Sequence, residues 1–204
     1  MVHLSSFSMG ILTLGTLSVS AVSGHWQQSE VGMNYQSIEQ LLTAQKWEAA
    51  AQETEQLIFE IARRRDNGTI GSDLLIQESV TTFPCKDLQT LDHLWRKHSR
   101  DRFGFTIQTQ IWQKVQPLSP SSIPEELSTW SAFTQQVGWQ AYLVQSLREE
   151  AKPSAAITDV PKGTFPLPVR STGDFGNHAV TEEKSTSFGQ QFLKRVAQCQ
   201  LAKT

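Results

Sequence analysis

Apolar side chains recur every three or four residues through most of this chain. One stripe covers 38–42, a polar break follows at 44–46, and a longer stripe covers 47–61. Residues with this spacing share one face of an α-helix, whereas the alternation typical of half-buried β-strands is missing. The pattern therefore predicts an all-α fold, with one compact helical domain over about residues 34–168.

The stretch 83–112 has the densest aromatic content and the clearest helix boundaries. Asp87 precedes an apolar stripe, and an aspartate there can cap a helix by accepting hydrogen bonds from amides of the first turn. We predict that this helix ends near Ser99 and that a second begins near Thr106. The corner between them contains Gly104, which lets the backbone approach a neighbour closely. Four aromatic residues are predicted to fill the core: Trp95, Phe103, Phe105 and Trp112.

Two later segments carry weaker patterns. The Pro- and Ser-rich stretch 116–129 is predicted to be a surface loop with one turn of helix at Glu125 and Glu126. The stretch 169–204 is predicted to be a polar linker followed by an amphipathic helix. One face of that helix carries Phe188, Phe192, Leu193, Val196 and Cys199.

Residues 1–21 have the features of a signal peptide. Residues 9–22 form an apolar run that is short for a bilayer, which requires about 20 residues, and Val19-Ser20-Ala21 offers a small-residue cleavage site. No Lys or Arg precedes the run, so an N-terminal extension ahead of a domain in the cytoplasm or plastid stroma is the alternative. We interpret 22–33 as a linker and favour export to a periplasm or lumen.

Composition excludes several classes of protein. The net charge is −2 over 204 residues, so no strong positive field would gather nucleic acid. No stable membrane span is expected. Cys85 and Cys199 are too few for a disulfide framework or a Cys-rich metal site. Two ordinary thiols are favoured, and a single bridge in an oxidising compartment stays open.

No catalytic arrangement is visible in the sequence. His93 and His98 are five positions apart and do not share a helix face as metal ligands four apart would. Asp87 and Asp92 are best explained as a cap and a solvated face, without a role as an acid–base pair. We therefore predict a non-enzymatic protein with no metal site and no required cofactor, in which His98 packs or forms a hydrogen bond.

The predicted helix hairpin resembles a known family signature. The runs DLQTLDHLWRKHS and RFGFTIQTQIW are similar to the pattern of the porphyrin-binding genomes-uncoupled (Gun-four) family, in which DL-x-T and LW-x-x-(H/Y)S precede FGFS(V/I)Q and (I/L)W. The shorter pieces KWEAAAQET, VGW and PKGTFPLP stand in the family's order. The resemblance covers about residues 34–168.

The resemblance implies a helical domain with a concave apolar cup that binds a porphyrin. It implies a non-enzymatic tetrapyrrole-binding regulatory or carrier protein, related to chlorophyll biosynthesis factors, with protoporphyrin or Mg-protoporphyrin as ligand. If the chain is cytoplasmic, the implied partner is the large subunit of magnesium chelatase. The alternative is an exported interaction module that has kept the fold and lost porphyrin binding.

Matching to the family places Val80, Gln77, Phe165, Leu167 and Arg170 at the porphyrin. Val80, Phe165 and Leu167 would form apolar walls, and Arg170 would meet a propionate. Gln77 stands where the family has an aromatic residue, and the loop after Trp139 lacks tryptophan. Each lost aromatic contact costs on the order of 1 kcal/mol, so we expect binding that is weaker than is usual in the family. The family's closing histidine is replaced by Thr164.

Overall fold

The computed structural model describes residues 28–66, 77–115, 123–139, 157–166 and 182–201. These ranges contain α-helices and one short 3-10 turn, Ile157–Asp159, and no strand. The all-α prediction is confirmed. The predicted signal peptide lies outside the described residues. In chain order the helices are α1 (Gln36–Thr43), α2 (Trp47–Arg65), α3 (Gln77–Thr81), α4 (Cys85–Ser99), α5 (Phe105–Val115), α6 (Ile123–Gln136) and α7 (Glu182–Leu201).

The central hairpin is formed by α4 and α5, and its corner matches the prediction. Helix α4 ends at Ser99, whose hydroxyl accepts a hydrogen bond from the Phe103 amide at 2.9 Å. Gly104 has φ +125°, and a Cβ there would lie 2.8 Å from Cγ of Arg96. Because only glycine has neither that clash nor a penalty at this φ, it allows α4 and α5 to meet closely.

The predicted cap of α4 is wrong. Pro84, with ψ 125°, precedes the helix, and its carbonyl accepts the first helical hydrogen bond, from Leu88. Asp87 therefore lies inside the first turn and is fully buried. Its carboxylate accepts hydrogen bonds from the hydroxyls of Ser29 and Tyr35 and, at 2.9 Å, from the Glu30 amide. This carboxylate ties residues 29–35 to α4.

Helix α6 is longer than predicted. In place of one turn at Glu125 and Glu126, the helix runs from Ile123 to Gln136. Pro124 is compatible with the first turn, where a backbone N–H has no helical partner in any case. The apolar stripe that continues to Trp139 gives this helix a buried face, which a composition rich in Pro and Ser obscured.

The core consists of two clusters of buried residues. The larger surrounds Trp95, and the smaller surrounds Phe133; both residues are 0% exposed. The four aromatic residues predicted as structural are buried, at 0–7% exposure, which confirms that prediction: Trp95, Phe103, Phe105 and Trp112.

Helix α7 contributes to both clusters. Phe192, Val196 and Cys199 belong to the larger cluster and Leu193 to the smaller. This confirms the predicted apolar face, apart from Phe188, whose side chain lies outside the described part. Where α7 meets α6, Gly189 faces the indole of Trp130, and a Cβ would come within 2.3 Å of that ring. Close packing of α7 on the domain therefore depends on a residue without a side chain.

A membrane-spanning helix must be both long and apolar. None of the described helices is both long enough and apolar enough to cross a bilayer.

Candidate functional site

The closing segment 161–166 is held against the hairpin by polar contacts. The Gln108 amide donates to the carbonyls of Gly163 and Pro166, at 2.9 and 2.6 Å. The Gly104 amide donates to the Phe165 carbonyl at 2.9 Å. Since buried backbone carbonyls require partners, these bonds fix the segment beside the Phe-Gly-Phe corner.

Both the hydroxyl and the carbonyl of Thr164, the residue that stands at the histidine position of the resembled pattern, form hydrogen bonds within the domain. Its hydroxyl lies 2.7 Å from the Val137 carbonyl and 2.8 Å from that of Pro161. Its own carbonyl accepts a hydrogen bond from Nε1 of Trp139 at 2.8 Å. The side chain is 1% exposed. Thr164 therefore joins the closing segment to the end of α6.

Phe165, predicted as a pocket wall, lies in the core. Its ring stacks on Trp95 at 5.8 Å between centroids and meets the edge of Phe103 at 5.2 Å. It is 1% exposed. Phe165 is therefore a core residue and offers almost no surface to a ligand.

Val80, the second predicted wall residue described here, lies on α3 and is 1% exposed. It belongs to the same large cluster as Phe165. Helix α7 packs against α3. The backbone of Gln77 begins α3, but its side chain lies outside the described part, as do Leu167 and Arg170. The predicted contacts of these residues with porphyrin stay predictions.

A disulfide joins Cys85 at the start of α4 to Cys199 near the end of α7. The preference for two free thiols is therefore wrong. The two cysteines are separated by 114 residues along the chain. One feature of the sequence favours the pairing, because Cys199 lies on the apolar face of its helix. The sequence pattern does not identify the element against which that face packs.

Helix α7 is also anchored by hydrogen bonds. The Arg195 guanidinium donates twice to the Phe83 carbonyl, at 2.9 and 2.6 Å. Burial, and then the nearby charge of Arg65, lower the pKa of Arg195 from its usual value. The Gln89 amide donates to the Cys199 carbonyl at 2.7 Å. Neither contact could be predicted from the sequence, because Arg195 belongs to no motif and Gln89 stands at the variable position of DL-x-T.

A cavity of about 280 Å³ lies between α4, α5 and α7. Its lining combines apolar and polar surface and includes Leu88, Val196, Cys199, Asp92, His93, Arg96, Thr106 and Gln200. Neither Val80 nor Phe165 lines it, and its volume is below the range of about 300–1,000 Å³ that is typical of small-molecule pockets. We therefore do not assign it to a macrocycle. It borders the disulfide only at Cys199.

His98 is a packing residue with an altered pKa. Burial, followed by the charge of Lys97, lowers its pKa, and Glu39, 3.9 Å from its Nε2, only partly offsets this. Within the described ranges no group of three His, Cys, Asp or Glu side chains could hold a metal ion. His98 therefore favours the neutral state in the folded protein.

Lowering the pH is expected to destabilise the protein partly through His98. Its folded pKa is below the unfolded value of about 6.5, so the unfolded chain binds the proton first and stability falls as the pH drops through that value. Urea unfolding at pH 7 and pH 5 measures the loss. His98→Gln should reduce the difference in unfolding free energy between the two pH values, and an unchanged difference would contradict this assignment.

The described residues define a class of protein. It is an all-helical domain built on a tight hairpin, closed by a proline-containing segment and covered on one side by a disulfide-linked helix. The sequence model described as GUN4-like matches residues 28–180. Because this match covers most of the chain, the chain belongs to the GUN4-like family. Helix α7 begins beyond the matched residues.

Similar proteins agree with this family. The chain is 33% identical over 86 residues to the chloroplastic tetrapyrrole-binding protein of Arabidopsis thaliana, covering 42% of this chain and 31% of that protein. It is 32% identical over 108 residues to the protein ycf53 of Pyropia yezoensis, covering 53% and 40%. The chain spans half or less of the length of these curated relatives.

A solved structure shares the fold. The structure of GUN4 from Chlamydomonas reinhardtii superposes with a TM-score of 0.51 at 20% identity, covering 81% of this chain and 94% of that one. At this identity the similarity concerns the fold alone.

Proposed function

We propose that this chain is a non-enzymatic regulatory or carrier protein that binds a tetrapyrrole, protoporphyrin or Mg-protoporphyrin, and is related to chlorophyll biosynthesis factors. Membership of the GUN4-like family carries the proposal. The name of the Arabidopsis relative, a tetrapyrrole-binding protein, supports it. Proteins of one fold can differ in function, so the site residues decide whether the ligand is shared.

The packing around the hairpin is compatible with a rigid floor for a flat ligand. Trp95 stacks on Phe165 with an interplanar angle of 9°, and the edge of Phe103 meets both rings. Such aromatic contacts hold a surface in one shape. The apolar walls above this floor are proposed to come from Val80 and Leu167, with Arg170 as the cation for a propionate.

The disulfide bears on the compartment. Disulfides persist in oxidising compartments and are rare in the cytoplasm. Together with the signal-like residues 1–21, the Cys85–Cys199 bond favours a periplasm or lumen. In that location the protein would carry or sense a tetrapyrrole without contacting magnesium chelatase. In the cytoplasm or plastid stroma, the large subunit of magnesium chelatase is the proposed partner.

Titration with protoporphyrin IX tests the function directly. We expect a shift of the Soret band and quenching of tryptophan fluorescence, with an affinity below that of the Arabidopsis relative measured in parallel. Gln77→Phe is expected to tighten binding, because an unsatisfied amide facing the macrocycle costs about 1–3 kcal/mol. Arg170→Ala is expected to loosen it, most clearly at low salt, because a charge-assisted contact with a propionate is lost.

The controls separate the pocket from the function. Arg100→Ala removes a cation from the exposed corner after α4 and should leave binding unchanged. Tight binding that ignores both Gln77→Phe and Arg170→Ala would contradict the pocket. Absence of binding by every variant, including reduced protein, would contradict the function.

One observation favours the alternative, an interaction module without porphyrin. Val80 and Phe83 are each 1% exposed, with α7 packed over α3. If this cover is permanent, the predicted walls never meet a ligand. The same titration distinguishes the two functions.

A further inference from the structure

Helix α7 covers the side of the domain on which the predicted pocket wall lies. Phe192 meets Phe83 at 6.5 Å between ring centroids and Phe105 at 5.2 Å. The helix packs along α3, where Val80 is buried. Helix α7 begins at Glu182, just beyond the residues 28–180 that the GUN4-like sequence model matches.

A disulfide joins α7 to the first residue of α4. Cys85 follows Phe83 and Pro84 directly and bonds to Cys199 on α7. Arg195 and Gln89 reinforce the same contact from either side of the bond. One disulfide therefore holds α7 at the point where it meets α3 and α4.

The two cysteines of the disulfide differ in exposure. Cys85 is partly exposed, whereas Cys199 is 1% exposed. The cavity between α4, α5 and α7 borders Cys199. Exchange requires access of a thiolate to one sulfur along the S–S axis, so the more exposed partner, Cys85, is the proposed point of attack.

We propose that Cys85–Cys199 is a modification site for a dithiol oxidoreductase, and that its reduction releases α7 from Val80 and Phe83. This rests on the proposed tetrapyrrole function, whose pocket the helix would cover. Oxidised protein is the closed form, and reduced protein exchanges with an open form in which the wall meets ligand.

The exchange balances as two thiol–disulfide steps. A thiolate of the oxidoreductase bonds to Sγ of Cys85, and the electron pair of the Cys85–Cys199 bond leaves with Cys199, which takes a proton from water. The second thiolate of the oxidoreductase then displaces Cys85, which is protonated in turn. Two electrons thus pass from the dithiol to the protein, whose cysteines take two protons from water in place of the two that the dithiol released on forming its thiolates, and the oxidoreductase leaves as a disulfide.

Reduction is expected to raise the fraction of molecules in which α7 is released, without unfolding the rest of the domain. Phe192, Leu193 and Val196 still favour the docked helix, because their apolar surface is hidden only there. Apparent affinity depends on the fraction of molecules in the binding-competent form. We therefore expect reduced protein to bind protoporphyrin about tenfold or more tightly than oxidised protein.

The test compares the full chain in oxidised form, after treatment with dithiothreitol, and as the variant Cys85→Ser with Cys199→Ser. Protoporphyrin titrations should give tighter binding for the reduced chain and for the variant, and dithiothreitol should not change the variant. Amide hydrogen exchange over 190–200 measures release of α7 without ligand. Far-ultraviolet circular dichroism verifies the fold; if the variant does not fold, the reduced chain carries the comparison.

The outcomes are distinguishable. Equal, measurable affinities of the oxidised and reduced chains would overturn the proposal and leave the tetrapyrrole function standing. Exchange protection of α7 that does not change on reduction would also overturn it. If no form binds porphyrin, the proposed function fails; a loss of α7 protection on reduction then still supports helix release.

Discussion

Replacing Trp95 by alanine is expected to lower the free energy of unfolding by about 3–5 kcal/mol. The indole is 0% exposed and contacts the rings of Phe103 and Phe165. Its Nε1 donates to the Thr54 hydroxyl at 3.0 Å. Truncation would leave a cavity where α2, α4 and the closing segment meet. Urea unfolding followed by circular dichroism measures the change.

Trp95→Phe is the matched control. It keeps a ring between Phe103 and Phe165 and should cost clearly less than alanine. The Thr54 hydroxyl would retain its hydrogen bond to the Ala50 carbonyl, at 2.7 Å. If Trp95→Ala cost under about 1 kcal/mol, well below the usual range for a buried tryptophan, the described packing of the closing segment would be wrong.

Asp87→Asn is expected to cost about 3 kcal/mol, because hydrogen bonds to a charged acceptor contribute about 1.5–3 kcal/mol each. The carboxylate is 0% exposed and accepts from Ser29, Glu30 and Tyr35. An amide has nearly the same shape but turns an NH₂ group toward one of these donors. Urea unfolding measures stability, and hydrogen exchange at 30–33 should show earlier opening of that segment.

Asp101→Asn provides the same chemical change at an exposed position. The Asp101 carboxylate is 61% exposed and pairs with Nε of Arg96 at 2.7 Å. Exposed ion pairs contribute about 0–1 kcal/mol, and asparagine tolerates the positive φ of this residue. Equal losses at Asp87 and Asp101 would show that burial does not strengthen the Asp87 contacts.

The hydrogen bonds of Asp87 also change the ionisation of their donor. Burial, and then the hydrogen bond to Asp87, raise the pKa of Tyr35 above its usual value. The tyrosine is therefore held as a neutral donor to the carboxylate.

The end of α4 and the start of α5 could be predicted because local signals decide them. A polar turn follows Ser99, and Gly104 relieves a clash that any other residue would introduce. The start of α4 was misplaced because Pro84 allows the helix to begin before Asp87. A carboxylate near a helix start can serve as a cap or as a tertiary acceptor, and the sequence does not distinguish these roles.

The sequence predicts the helices around the candidate site, but it does not predict how they pack against one another. The spacing of Phe192, Val196 and Cys199 showed which face of α7 is apolar, but periodicity does not identify what that face packs against. The pairing of Cys85 with Cys199 spans 114 residues and depends on that packing. The burial of Val80 beneath α7 therefore could not be predicted, although its apolar character could.

The residues that hold α7 in place also form a sequence motif that can be searched for in other genomes. On one side stands F-P-C at 83–85; on the other stands G-x5-R-x3-C, formed by Gly189, Arg195 and Cys199. Four of the six letters have a direct reason: the glycine makes room for Trp130, the arginine binds the Phe83 carbonyl, and the two cysteines pair. Members of the family that carry both halves are expected to share the bonded helix, and those with one half are expected to lack the bond.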